Sequence, residues 1–424
     1  MQEIDWFSLL TVPLFLAAIG WIINWTGVWM LFNPLEFRGW RIPGLQAIVD
    51  FLPRKIQQIP GIMSGGVGWQ GIIPSRAAKM GSIAVDKGIA KLGSPEEFYA
   101  ELEPEKIAEH ILTTARDDIR ELVEQIMQRD HPQLWYSMPP RVRETVHERV
   151  QAQLPDVVRT VTEEIGTNID QLLDVKLMVI RRMEAEPELC NRVFQEIGRE
   201  ELRFIIRFGF WMGLVLGVPV AILTEVVFHF WWLLPVLGVL VGYTTNVVAI
   251  WMIFEPARPR RFLGIKLHGL FMRRQDEAAD IYAEIVSDDV VTLSNIGDQL
   301  LHGPAADRTR AMIESAIRPA VDRAVGPARS LVRMAVGRRE YAELRESVAT
   351  EAVEHTMAPM SDPELNRRQS PRISSLISSR MRELPPEEFG EMLRAAMKED
   401  EWLLYLHGAV LGLGAGFLHL LIFG

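Results

Sequence analysis

Long apolar runs alternate with long charged ones along this chain. Residues 6–35, 208–224, 230–254 and 402–424 contain no Asp, Glu, Lys or Arg. A helix needs about 20 mostly apolar residues to cross the hydrocarbon of a bilayer. The four runs therefore predict membrane helices at about 7–32, 203–224, 230–254 and 402–423. The second run is short by itself, but Arg203 and Arg207 at its entrance can snorkel and lengthen it. The first run follows Glu3 and Asp5 rather than a basic stretch, and no small-residue cleavage site follows it. It reads as a retained helix and not as a signal peptide.

The charged regions carry a helical period. From Val142 an apolar stripe runs through Val146, Val150, Leu154, Val157, Val161, Ile165 and Ile169 to Leu172, eight steps over 30 residues. A second stripe runs Ile313, Ile317, Val321, Val325, Ala328, Val332, Val336. The first spacing slightly exceeds the α-helical 3.6, which favours a right-handed wrap if the helix is continuous. Pro155 predicts a bend or break within it. Elongated bundles or stalks fit these stripes better than a compact catalytic domain.

The chain also repeats itself. Gly20-Trp-Ile-Ile-Asn24-Trp-Thr-Gly-Val-Trp29-Met30-Leu-Phe32-Asn-Pro34 aligns with Gly242-Tyr-Thr-Thr-Asn246-Val-Val-Ala-Ile-Trp251-Met252-Ile-Phe254-Glu-Pro256 at an offset of 222, with six of fifteen positions identical. Gly71 and Arg76 face Gly269 and Arg274 at 198, which places an insertion of 24 residues in the first copy, roughly at 47–70. Later the offset is 199: Arg181 meets Arg380, Glu184 Glu383, Pro187 Pro386, and Glu200 Glu399. Matches in order at nearly constant offset predict two copies of one unit. Copy one covers 1–224, with an interfacial segment at 35–75 and a helical region at 76–200; copy two covers 225–424, with corresponding parts at 257–274 and 275–400. The predicted fold class is an all-α integral membrane protein of two parallel tandem repeats, which implies a pseudo-two-fold axis along the membrane normal.

Four residue sets stand out. Gly209, Gly213 and Gly217 share one helix face, as do Gly408, Gly412 and Gly416, and such ladders let another helix approach closely. Asn24 and Asn246 are amides inside apolar spans, which require hydrogen-bond partners on another helix or at the interface between copies. Pro34 and Pro256 end their helices. Arg38, Arg41, Arg258, Arg260, Arg261 and Lys266 lie among aromatic and aliphatic residues just beyond them, a composition suited to the headgroup layer and to anionic lipid. Residues 47–70, with Pro53, Pro60, Gly61, Gly65 and Gly66, fit either a second interfacial element or a re-entrant one.

Charge and composition sharpen this. The net charge of −10 excludes a polybasic nucleic-acid binder, and one cysteine, Cys190, excludes an internal disulfide and reads as an ordinary reduced thiol. The membrane helices meet Lys and Arg only on the side of the two large polar regions, which predicts those regions in the cytoplasm. No phosphate loop, dinucleotide fingerprint, zinc-protease motif, paired-cysteine motif or nucleophile elbow is present. His407 and His419 are twelve residues apart in the last span, too far for one metal site, and read as interfacial residues near its two ends. No catalytic residue, metal or cofactor is expected.

The pattern Thr245-Asn246-x-x-Ala249-Ile250-x-Met252-x-Phe254-x-Pro256, followed by Gly269 and Arg274, resembles the bacterial membrane proteins grouped as domain of unknown function 445. The first copy carries Gly71-Ile-Ile-Pro74-Ser-Arg76, close to that family's Gly-x-Ile-Pro-x-Arg. It departs at Ile23-Asn24, where Thr-Asn is expected, and the second copy departs at Met272, where proline is expected. The resemblance implies a multi-pass protein of the bacterial cytoplasmic membrane with helical extensions, and no particular activity. Two functional expectations follow. The first is a non-enzymatic membrane-anchored helical scaffold or assembly factor, with self-association or a protein partner on its stalks. The second is lipid or small-solute binding or transport at the pseudo-symmetric interface near Asn24 and Asn246. An unrecognised membrane enzyme is the third and weakest, because no acids and histidines cluster by spacing.

Overall fold

The computed structural model describes residues 6–43, 49, 51, 53–63, 65–130, 132–262, 265–326 and 337–423. Ala328, Val332 and Val336 of the second stripe, parts of the 47–70 insertion and the side chain of Lys266 lie outside the described part. Nine helices of twenty or more residues stand among the described residues: α1 (Trp6–Phe32), α2 (Pro104–Asp130), α3 (Pro140–Leu172), α4 (Arg199–Ile222), α5 (Leu233–Phe254), α6 (Ala306–Val325), α7 (Arg338–Met357), α8 (Pro363–Glu383) and α9 (Glu401–Phe423). Four are long and apolar enough to cross a membrane: Leu9–Phe32, Arg199–Val227, Leu233–Phe254 and Glu401–Phe423.

The chain is helical as expected, and two short hairpins stand beside the helices. Strand β1 (Arg38–Arg41) pairs antiparallel with β2 (Gly66–Trp69), and β3 (Arg260–Phe262) pairs antiparallel with β4 (Ile265–Leu267). Each hairpin lies where a basic interfacial segment was predicted.

Packing divides the chain into two compact units, one of residues 1–88, 180–282 and 378–424, the other of 89–179 and 283–377. This division cuts across the sequence boundary at 224, because each unit draws on both halves of the chain. In the first unit α1 packs on α4, α5 on α9, α1 on α9, and α4 on α5. Their outward faces expose Leu10, Leu14, Trp21, Trp25, Trp29, Trp211, Val215, Leu240 and Phe417. Apolar side chains on the outside of a bundle that is tightly packed inside suit a hydrocarbon solvent.

The second unit is a helical bundle in which α3 contacts α2 and α6, and α7 contacts α6 and α2. The predicted stripes supply much of its core. Leu154, Val157, Val161, Ile165, Ile169 and Leu172 are buried, as are Ile313 and Ile317, while Val142 at the start of the first stripe is exposed. Of the expected bundles or stalks, the helices form a bundle. Neither stripe is wide enough to bury itself, and each finds its apolar complement 150 or so residues away. Pro140 starts α3 at its first turn, where no amide partner is missed. Pro155 does not break it: the helix is continuous through 33 residues, with Pro155 on the exposed side.

His147, buried on α3, was not anticipated. Its Nε2 lies 3.5 Å from Glu124 and its ring meets Trp135 edge-on at 5.6 Å. Burial, with Arg120 adding to it, holds its pKa below the usual histidine range. The folded state therefore prefers the neutral ring, and this contribution is lost as pH falls below the unfolded value of about 6.5. Hydrogen-exchange protection of α3 is expected to fall with acidification through that range. His147→Phe is expected to flatten that fall, and an unchanged profile in the variant would exclude this origin.

Candidate functional site

The two antiparallel helix pairs of the first unit are built on glycine. A Cβ at Gly209 would strike the carbonyl of Gly20, one at Gly213 that of Leu16, and one at Gly217 the backbone of Pro13. In the other pair Gly408 meets the carbonyl of Gly242, Gly412 that of Gly238, and Gly416 the backbone of Pro235. Main chain touches main chain along both seams, the closest packing two helices can reach. Adding 222 to the α1 positions and 199 to the α4 positions converts each contact of the first seam into one of the second.

The asparagines obey the same conversion. Asn24 Nδ2 donates to the Ile205 carbonyl at 2.6 Å, and Asn246 Nδ2 donates to the Leu404 carbonyl at 2.6 Å. Each amide therefore ties its own helix pair together. Asn24 Oδ1 is buried without a hydrogen-bond partner. Both side chains line one narrow void, with Gly27, Leu31, Ala249 and Ile250, and a second void lies beside Asn24, Gly20 and Thr245. Each has room for about one water.

The helices end at Phe32 and Phe254, two residues before Pro34 and Pro256, and both X-Pro bonds there are cis. Gly71 N–H donates to the Pro34 carbonyl at 2.9 Å, and Gly269 N–H donates to the Pro256 carbonyl at 3.0 Å. A Cβ on either glycine would collide with the last residues of the helix, so only glycine permits the return of the chain. The hairpins agree in register. Arg38, Gly39 and Trp40 face Trp69, Gly68 and Val67, while Arg260, Arg261 and Phe262 face Leu267, Lys266 and Ile265. The offsets 222 and 198 map one set onto the other. The 24 residues by which the two offsets differ therefore fall between β1 and β2, in the hairpin connection, and the offset of 198 carries β2 onto β4.

Arg76 and Arg274 each find an acid in the other half of the chain. Arg76 Nη2 lies 2.6 Å from Asp400 Oδ1, and Arg274 Nη1 lies 2.9 Å from Glu201 Oε2. Glu201 and Asp400 are related by 199 and the arginines by 198, so the two bridges are reciprocal. Arg76 and Asp400 are only 4% and 3% exposed. Arg76 also donates to the Gln58 carbonyl at 2.7 Å, whereas neither Asp400 oxygen receives an aligned hydrogen bond. Burial raises the Asp400 pKa above the usual aspartate range and Arg76 only partly offsets this. Arg274 is braced by Glu277 as well, which raises its own pKa further. Pro74 begins the single turn that delivers Arg76.

Comparisons with protein-family models, curated proteins and solved structures find no match. The remaining predicted residues fall as follows. Arg38, Arg41, Arg260 and Arg261 are exposed, and Arg258, also exposed, pairs with Glu387 at 2.5 Å. His407 lies 3.3 Å from Thr26 Oγ1. His419, one turn from the end of its helix, is 4% exposed and packed by Phe15 and Phe423, with neither ring nitrogen hydrogen-bonded. Burial pushes the Cys190 thiol up to about 12, which makes it inert. Among the described residues no three His, Cys, Asp or Glu side chains group as a metal site.

Glu201 and Asp400 were missed by sequence reasoning, although they directly follow the matched pair Glu200 and Glu399. Pro13 and Pro235, also missed, stand at the offset of 222.

Proposed function

We propose that the protein is a non-enzymatic integral membrane protein made of two parallel copies of one unit, which acts as a membrane-anchored helical scaffold or assembly factor. The reciprocal bridges Arg76–Asp400 and Arg274–Glu201 carry this reading, because each half of the chain completes a buried ion pair of the other. The glycine seams, asparagine bonds and hairpin registers, all related by the same offsets, support the duplication. The polar bundle then lies in the cytoplasm of a bacterium, on the side rich in Lys and Arg. Its long helices are the surface offered to a second copy or a protein partner.

The rival reading, lipid or solute passage near Asn24 and Asn246, asks for space between the helix pairs. Voids that take about one water favour a packed joint over a conduit. Reconstitution in liposomes tests this. The scaffold reading expects solute permeability equal to that of empty liposomes. Solute flux above that background would overturn it.

A further inference from the structure

The first hairpin has one covered face and one bare face. Gly39, Gly66 and Gly68 lie under the ring of Phe37, whose Cζ would be 2.8–3.0 Å from a Cβ at any of them. That face is filled by one aromatic ring where side chains would not fit. The register places Arg38, Trp40, Val67 and Trp69 on the other face. Trp40 and Val67 are directly opposed and are 82% and 62% exposed. Ile42, just beyond, is also exposed. A paired tryptophan and valine at a sheet surface form an apolar patch that water does not favour.

The position of the patch identifies what covers it. The Trp69 Nε1 donates to the Met30 carbonyl at 3.3 Å, which fastens β2 to the last turn of α1. Strand β1 starts six residues after α1 ends. Arg38, two residues before Trp40 on the same face, is exposed. Tryptophan at the end of a spanning helix, with arginine beside it, is the arrangement that settles at the boundary between acyl chains and headgroups. We propose that the Arg38–Trp40–Val67 face is a docking surface for the lipid leaflet in which α1 stands, with Trp40 and Val67 at the acyl boundary and Arg38 on anionic phosphate headgroups. This rests on α1 spanning the membrane, and it adds a specific lipid contact to the scaffold reading. The second hairpin places Phe262 and Ile265 at the matching register positions.

Site-directed spin labelling of the full chain in phosphatidylglycerol–phosphatidylcholine nanodiscs tests it. The native Cys190 is fully buried and does not compete for the label. A label at Trp40→Cys or Val67→Cys is expected to collide with dissolved oxygen more than with a water-soluble nickel chelate. A label at Arg159→Cys, on the exposed side of α3, is expected to do the reverse. If position 40 meets the chelate as freely as position 159, the proposal fails. If position 40 is shielded from both reagents, protein covers the face and the proposal also fails. A label at Trp211→Cys separates these failures from a failure of the membrane reading itself, because Trp211 is exposed in mid-span on α4. Contact with oxygen at 211 and with the chelate at 40 overturns only the docking surface. Arg38→Gln is expected to reduce phosphatidylglycerol retention about fivefold in native mass spectrometry. Unchanged retention in Arg38→Gln overturns the headgroup assignment.

Discussion

Gly213→Leu is expected to separate α1 from α4, and Gly412→Leu to separate α5 from α9. At both positions the incoming Cβ meets a backbone carbonyl, of Leu16 in one case and of Gly238 in the other. A main-chain oxygen cannot turn aside as a side chain can, so one helix must move. Forcing extra volume into a packed interior costs about 1–3 kcal/mol, and a helix pair with backbone contact belongs at or above the top of that range. The Asn24 bond to Ile205 lies on the same seam and would stretch with it. Thermal unfolding in nanodiscs reads the loss, together with protease sensitivity of the turn between α4 and α5. Gly414 supplies the control. It lies on α9 between Gly412 and Gly416, yet nothing stands within 4 Å of its added Cβ. Gly414→Leu is expected to leave the melting temperature unchanged. If Gly412→Leu behaves like Gly414→Leu, the glycine seam is not what holds the pair.

This contrast shows how far the sequence could be read. Apolar length alone located the four candidate membrane helices, because length and hydropathy are local properties. The ladders at Gly209–Gly217 and Gly408–Gly416 were legible because three-residue gaps put glycines on one helix face, and the opposing carbonyls follow from the close approach. The hairpins were not legible. Arg38-Gly-Trp-Arg41 is four residues long and has no apolar alternation, and its partner strand lies across a connection of 24 residues. Nor was the joining of α2 and α3 with α6 and α7, since a stripe reveals that a helix has an apolar face and not which helix covers it. The packing of His419 was not legible, because its sequence position near a span end said nothing of the rings of Phe15 and Phe423 around it.

The ion pairs make the sharpest demand on the proposed architecture. Arg76→Leu is expected to cost about 3–5 kcal/mol, because it strands the buried Asp400 carboxylate without the arginine it pairs with at 2.6 Å. Glu201→Gln is expected to cost less. Arg274 keeps its bond to Glu277 at 2.7 Å and is 21% exposed, so its charge is not abandoned. The paired change Arg76→Leu with Asp400→Leu is expected to recover most of the loss, since removing both charges also removes their desolvation. Burial raises the Asp400 pKa, so the folded state holds this proton more tightly than the unfolded chain does. Its contribution is fully present below the unfolded value of about 3.9 and is lost as pH rises through the elevated folded value. In Arg76→Leu, which removes the partial offset, that alkaline loss should move to higher pH and deepen. Co-expression of residues 1–224 and 225–424 as separate chains turns the same substitution into an assembly test. The wild-type halves are expected to co-purify, and Arg76→Leu is expected to weaken their association while leaving the Gly20–Gly209 seam within the first half. Co-purification of the Arg76→Leu half at wild-type yield, with an unchanged melt of the intact chain, would mean that the reciprocal bridges do not join the two halves.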